Sequence, residues 1–189
     1  MNYLPRTIQP VIEEASKFFK IVMVSGMRQV GKSTLLKQLS SDKRTIISFD
    51  DINNLESAKN APLQFLQLNP PPRFFNQVQR VPEIFKALKI SVDSRSEKGL
   101  YWLSGSQKLS LMSQVSDALP GRLMNFELWP FSIYEIAGKG LEQKPYLPSF
   151  SLSSNLPILD PADTWNAVFQ GFWPELKKAT ETERSCFFR

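Results

Sequence analysis

The segment Gly26-Met27-Arg28-Gln29-Val30-Gly31-Lys32-Ser33 sets two glycines, a lysine and a hydroxyl at the spacing G-x-x-x-x-G-K-[ST]. Those residue types at that spacing suit the holding of a nucleoside triphosphate with magnesium. A triphosphate concentrates several negative charges in a small volume, so its binder must aim many N–H groups inward without crowding. Gly26 and Gly31 supply backbone freedom and close approach, and Met27, Arg28, Gln29 and Val30 complete the cradle. Lys32 is placed to reach the β- and γ-phosphates, Ser33 to ligate magnesium, and Thr34 to add a hydroxyl near the α-phosphate. The pattern is silent on adenine against guanine.

Such a loop works only between a strand and a helix, and the flanking residues read that way. Residues 20–25 contain the unbroken apolar run Ile21-Val22-Met23-Val24, a strand buried on both faces. Residues 32–39 form a helix whose first turn adds unsatisfied N–H groups and a favourable dipole. Further strands are expected at 44–50, 73–78, 99–104 and 122–128. Helices are expected at 7–19, 51–68, 82–92, 110–119 and, briefly, 132–137. Strands alternating with helices predict an α/β domain with a mostly parallel five-stranded sheet. Residues 1–138 are read as this domain. Residues 139–162, with Pro145, Pro148, Pro157 and Pro161, read as a linker, and 163–189 as the helical start of a further region.

The chain has 189 residues, 42% hydrophobic and 22% charged, which suits one compact domain with a short appendage. Its net charge of +5 is scattered, favouring a solvated basic surface over a nucleic-acid face. One cysteine excludes an intrachain disulfide, and the lack of histidine excludes histidine triads and the usual zinc sites. No run approaches the about 18 apolar residues of a membrane span, and Glu13, Glu14 and Lys17 interrupt any signal-peptide core. A cytoplasmic location is expected.

GMRQVGKSTLL resembles the loop of the AAA-like ATPases of bacteria and archaea, which typically reads G-x-R-Q-x-G-K-T-T-L. Leu4 to Arg6 resembles that family's N-terminal signature, and Ser48 to Asp51 the end of its second strand. Asn76 to Glu83 (NQVQRVPE) resembles its D-E-x-Q-x-V-P-E segment, and Leu103 to Gln107 its L-T-G-S sensor strand. Pro120 to Arg122 and Trp129 to Glu135 resemble its A-G-R and L-x-P-x-S-x-x-E motifs, and residues 163–176 its G-x-P-E segment more faintly. The resemblance covers about residues 3–136, in order. It implies a three-layer P-loop NTPase fold of the additional-strand class, with ATP and magnesium as ligands and ATP hydrolysis as the family activity. It further raises Ser106 as a sensor of the γ-phosphate or attacking water, against a plain loop residue, and Arg122 as an arginine finger, in cis or on a neighbouring subunit, against an exposed strand-start arginine. Members usually continue into a further C-terminal domain.

Two departures qualify that implication. The family's acidic pair is Asn76 and Gln77 here. An amide keeps the shape and a carbonyl acceptor but loses the charge. Asn76 is expected to meet magnesium through a water, and Gln77, at the base position, cannot accept a proton. Asp50 and Asp51, at a neighbouring strand end, are the alternative source of acids. The second departure is the end of the chain at ERSCFFR, read as a truncation. It leaves the apolar segment Trp165 to Leu176 either as a surface for a protein partner or self-association, or folded back on the core.

The leading expectation is an ATP-binding protein with weak or absent hydrolysis. The alternatives are a scaffold remnant that no longer uses nucleotide, and a nucleic-acid-associated ATPase, for which the basic pI of ≈ 9.4 is the intrinsic support.

Overall fold

The computed structural model describes residues 3–106, 119–142, 160–162, 165, 168, 171–174, 176, 179 and 180. The helix expected at 110–119, the residue Gln107 and most of the linker lie outside the described residues. The chain divides into two units, one of residues 11–129 and one of residues 1–10 with 130–189.

The larger unit holds a five-stranded sheet among the described residues, in the order β2-β3-β4-β1-β5. The strands are β1 (Ile21–Ser25), β2 (Thr45–Ser48), β3 (Arg73–Asn76), β4 (Tyr101–Ser104) and β5 (Leu123–Glu127), and every pairing is parallel. β4 lies between the loop strand β1 and β3, which is the additional strand that the resemblance implies. All five residues of β1 are buried, as its apolar run requires in a sheet covered on both faces.

The helices are α1 (Gln9–Phe18), α2 (Lys32–Ser40), α3 (Ile52–Asn60), α4 (Pro62–Leu68) and α5 (Ile84–Asp93). The single helix expected over 51–68 is two. Pro62 disfavours helical geometry at the residue before it, and Ala61 sits at φ −143°, ψ 66°. Pro62 then opens α4 at a position where its missing N–H costs nothing. Asp51 caps α3 by accepting from the amides of Asn53 at 2.8 Å and Asn54 at 3.4 Å.

The layers follow from which residues share a sheet face. Ile47, Phe75, Leu103 and Met23 point with Tyr101 into a core completed by Ala58, Phe65, Leu66, Ile84, Phe85 and Leu88 of α3, α4 and α5. Phe75 stacks between Phe49 and Tyr101, with ring centroids 5.7 and 5.6 Å away. On the other face α1 is tied to the sheet by a side chain, since Trp102 Nε1 donates to Ser16 Oγ at 2.9 Å. α2 packs there over β3 and β4. The result is a three-layer α/β fold.

In the smaller unit the short helix α6 (Ile133–Ile136) starts with a capping box. Ser132 Oγ accepts from the Glu135 amide at 3.2 Å, and Glu135 Oε2 accepts from the Ser132 amide at 2.8 Å. The other carboxylate oxygen of Glu135 accepts from the Thr7 amide at 2.8 Å and pairs with Arg6 Nε at 3.1 Å. Arg6 also lies 4.5 Å from the Phe131 ring centre. Two motifs far apart in sequence, around Arg6 and around Glu135, are thus joined through a buried ion pair. Further on, Leu176 is buried, whereas Trp165 and Val168 are exposed.

Candidate nucleotide site

In a parallel sheet all strands end at one edge, and the residues with chemistry collect there. The loop leaves β1 at Ser25 and enters α2 at Lys32. Its course requires three left-handed or mirror-extended backbone positions: Gly26 at φ 145°, Gln29 at φ 64° and Gly31 at φ 94°. Gly26 also passes against the next strand end. A Cβ there would run into the carbonyl oxygen of Leu128, whose amide donates to Ser25 O at 2.8 Å. Only glycine fits both the torsion and the space. Met27, Arg28, Gln29 and Thr34 are exposed, whereas Val30 is buried.

Lys32 is 9% exposed, and its amine donates to the Met27 carbonyl within the loop itself. Burial pushes its pKa below the usual lysine value, because the charged form has lost water. A buried ammonium whose partner is a loop carbonyl favours an anion of several charges.

The last residues of three adjacent strands form one polar row. Ser48, Asn76 and Ser104 are in register across β2, β3 and β4. Asn76 is the hub. Its Oδ1 accepts from Ser33 Oγ at 2.5 Å and from Ser104 Oγ at 2.7 Å, and its Nδ2 donates to Ser48 Oγ at 3.2 Å. Ser48 Oγ in turn donates to Asp50 Oδ2 at 3.4 Å, and Asp50 pairs with Arg80 at 3.0 Å. The Ser33 hydroxyl gives its proton to Asn76 and keeps its lone pairs free. Hydroxyl and carbonyl oxygens are the donors that magnesium takes, with water completing its shell. The Ser33 oxygen therefore fits that ion, and Asn76 Oδ1, whose two lone pairs are taken by Ser33 and Ser104, meets a metal-bound water by releasing Ser104.

Gln77 follows Asn76 in a left-handed conformation, φ 64° and ψ 43°, and its Oε1 accepts from Gln79 Nε2 at 2.6 Å. Gln79 Oε1 accepts from the Ser106 amide at 3.2 Å, so Gln77 and the segment after β4 are linked by one side chain. Asp51 is engaged as the α3 cap, and Asp50 lies beyond Ser48 from Asn76. Neither acid stands where Asn76 or Gln77 does.

Thus the structure brings Gly26 to Thr34, Asn76, Gln77 and Ser106 to one edge of the sheet. Arg122 is elsewhere. It precedes Leu123, which pairs with Ile21 at the start of β1, so it lies at the opposite edge from the loop. Its guanidinium is held by Asp93, with Nε–Oδ1 at 2.5 Å and Nη2–Oδ2 at 3.0 Å. A finger to this chain's own loop is excluded by that placement. Ser48, Ser104 and Gln79 were not singled out from the sequence. The available signal was that three of the strands, TIIS, RFFN and YWLS, end on a hydroxyl or an amide.

Comparison with known proteins agrees with this geometry. The chain is 27% identical over 141 residues to an uncharacterised protein of Mycobacterium bovis and, to the same extent, to one of Mycobacterium tuberculosis. The match takes in 71% of this chain but 32% of each relative, so the chain spans about a third of their length. A family model described as an AAA domain matches residues 18–137, which run from the end of α1 through α6 and include the whole sheet edge. The chain belongs to this AAA domain family, a family of nucleotide-binding P-loop proteins.

Proposed function

We propose that the chain binds ATP with magnesium at the Gly26–Ser33 loop and turns it over weakly or not at all. Lys32 and the loop amides hold the phosphates. The Ser33 hydroxyl and, through water, the Asn76 carbonyl hold the metal, which when bound supplies charge neutralisation to the triphosphate. Ser106, beside Gln79, reads the γ-phosphate end. The observation that carries this reading is the hydrogen bond of 2.5 Å from Ser33 to Asn76, which keeps the helix start and the β3 end in a binding arrangement. At the neighbouring position stands Gln77, an amide that accepts no proton at ordinary pH.

A titration of Mg-ATP into the chain, followed by calorimetry, tests this. Saturable binding that disappears in Lys32→Ala, with no phosphate released over hours, is the expected result. Turnover at an ordinary ATPase rate that is lost in Lys32→Ala would overturn the claim of impaired hydrolysis. A folded protein that does not bind would overturn the claim of binding.

A further inference from the structure

The Asn76 side chain raises a question that an aspartate would not. A carboxylate presents oxygen on both sides, but an amide presents oxygen on one side and NH2 on the other. Only one of its two orientations is compatible with a cation beside Ser33. The groups around Asn76 do not decide between them directly, because Ser33, Ser104 and Ser48 all offer hydroxyls, and each hydroxyl can donate or accept.

The decision comes from the next group out. We propose that Asp50, acting through Ser48, is the positioning residue that turns the Asn76 carbonyl oxygen toward Ser33 and its NH2 away. The Asp50 carboxylate oxygen accepts from Ser48 Oγ, 3.4 Å away, which directs the Ser48 proton to it. The Asp50 amide donates to the same Ser48 oxygen at 3.3 Å. Ser48 Oγ thereby has only acceptor capacity left for Asn76, and Asn76 must meet it with Nδ2, at 3.2 Å. Oδ1 is then directed to Ser33 and Ser104. Arg80, 3.0 Å from Asp50 Oδ1, holds that carboxylate in place. The polarity of the whole row runs from one charge, which lets an amide stand in for the acid without presenting its NH2 to the metal.

This inference rests on the magnesium-dependent ATP binding proposed above. Its first test needs no ligand. In the folded chain, the Asn76 side-chain amide protons are expected to show nuclear Overhauser contacts to the Ser48 β-protons, and in Asp50→Asn, contacts to Ser33 or Ser104 as well. Contacts to Ser33 in the native chain would overturn it. The second test is the ratio of ATP affinities with magnesium and with EDTA. Loss of an outer hydrogen-bond partner commonly weakens metal binding by about 10–100-fold, and a fall of that order is expected in Ser48→Ala. In the Asn76→Asp background the same Ser48→Ala change is expected to leave the ratio unaltered, because a carboxylate needs no turning. An equal fall in both backgrounds, or none in either, overturns the inference while leaving nucleotide binding intact. ATP binding that ignores magnesium in the native chain does the same, whereas no ATP binding at all removes the proposed function and this inference together.

Discussion

Ser33 Oγ donates to Asn76 Oδ1 across 2.5 Å, joining the first turn of α2 to the last residue of β3. The contact ties two elements 43 residues apart at the sheet edge where the nucleotide is proposed to sit. The Asn76 amide leaves no gap in the row, since Ser33, Ser48 and Ser104 all reach it.

Asn76→Asp should therefore be accepted at small structural cost. Ser33 and Ser104 already donate to Asn76 Oδ1 and would donate equally to a carboxylate, while Ser48 would turn its proton from Asp50 to the new oxygen. The expected outcome is an unchanged fold with tighter magnesium-dependent ATP binding. Adding Gln77→Glu supplies a base, a group commonly worth about 10²–10⁴-fold in rate. Phosphate release by the double variant should rise by that order over the native chain. Equal rates in two proteins that bind ATP equally well would show that these two positions are not what limits hydrolysis.

Lys32 gives the site a pH dependence whose sign can be stated. Its pKa in the free protein is lowered by burial, while a bound polyphosphate favours the charged amine. Affinity should be level below the lowered pKa and fall as pH rises through it, with proton uptake on binding in that range. Calorimetry in buffers of different ionisation enthalpy measures the uptake. The folding linkage runs the other way. Between the lowered folded pKa and the ordinary unfolded one, the unfolded chain binds more protons, so the Lys32 contribution to stability improves as pH rises. The difference in denaturation midpoint between the native chain and Lys32→Met should change with pH in that window alone.

Gly26→Ala should damage both fold and site. The new methyl would meet the Leu128 carbonyl oxygen, at a torsion of φ 145° that side chains disfavour. A cost above about 1 kcal/mol in denaturant unfolding is expected, together with loss of ATP binding. Phe75→Ala provides the contrast. It empties the centre of the aromatic stack and should cost about 3–5 kcal/mol, with binding preserved in whatever fraction remains folded.

Most of the scaffold was legible in the sequence because its signals are local. The apolar run before Gly26 and the glycine spacing of the loop are written over a dozen residues, and the alternation of patterns predicts the parallel sheet. Pro62 was equally visible, yet 51–68 reads as one helix until the constraint that proline places on Ala61 is applied. The polar row was not legible. Ser48, Asn76 and Ser104 are 28 residues apart in each step, and only strand order and register bring them together. The choice between the two readings of Arg122 was not legible for the same reason. Its motif could be recognised, but which end of the sheet it occupies depends on the register of β5 against β1.

The Arg6–Glu135 pair offers the last prediction, because it separates a charge from its burial. The two side chains are 4% and 6% exposed at a distance of 3.1 Å, and Glu135 carries the Thr7 and Ser132 amides besides. Removing Arg6 alone leaves a buried carboxylate with neutral donors only, and breaking such a pair commonly costs about 3–5 kcal/mol. Arg6→Met is expected to destabilise the unit formed by residues 1–10 and 130–189 by about that amount. Glu135→Gln retains an acceptor for one amide, and in the double variant no unpaired charge is left. The double variant should therefore be less destabilised than the sum of the two single changes. Hydrogen exchange at Thr7 and Ser132 reads the effect locally, since their amides are bonded to Glu135 itself. Additive effects, with unchanged protection at both amides, would show that the pair is coupled to neither segment.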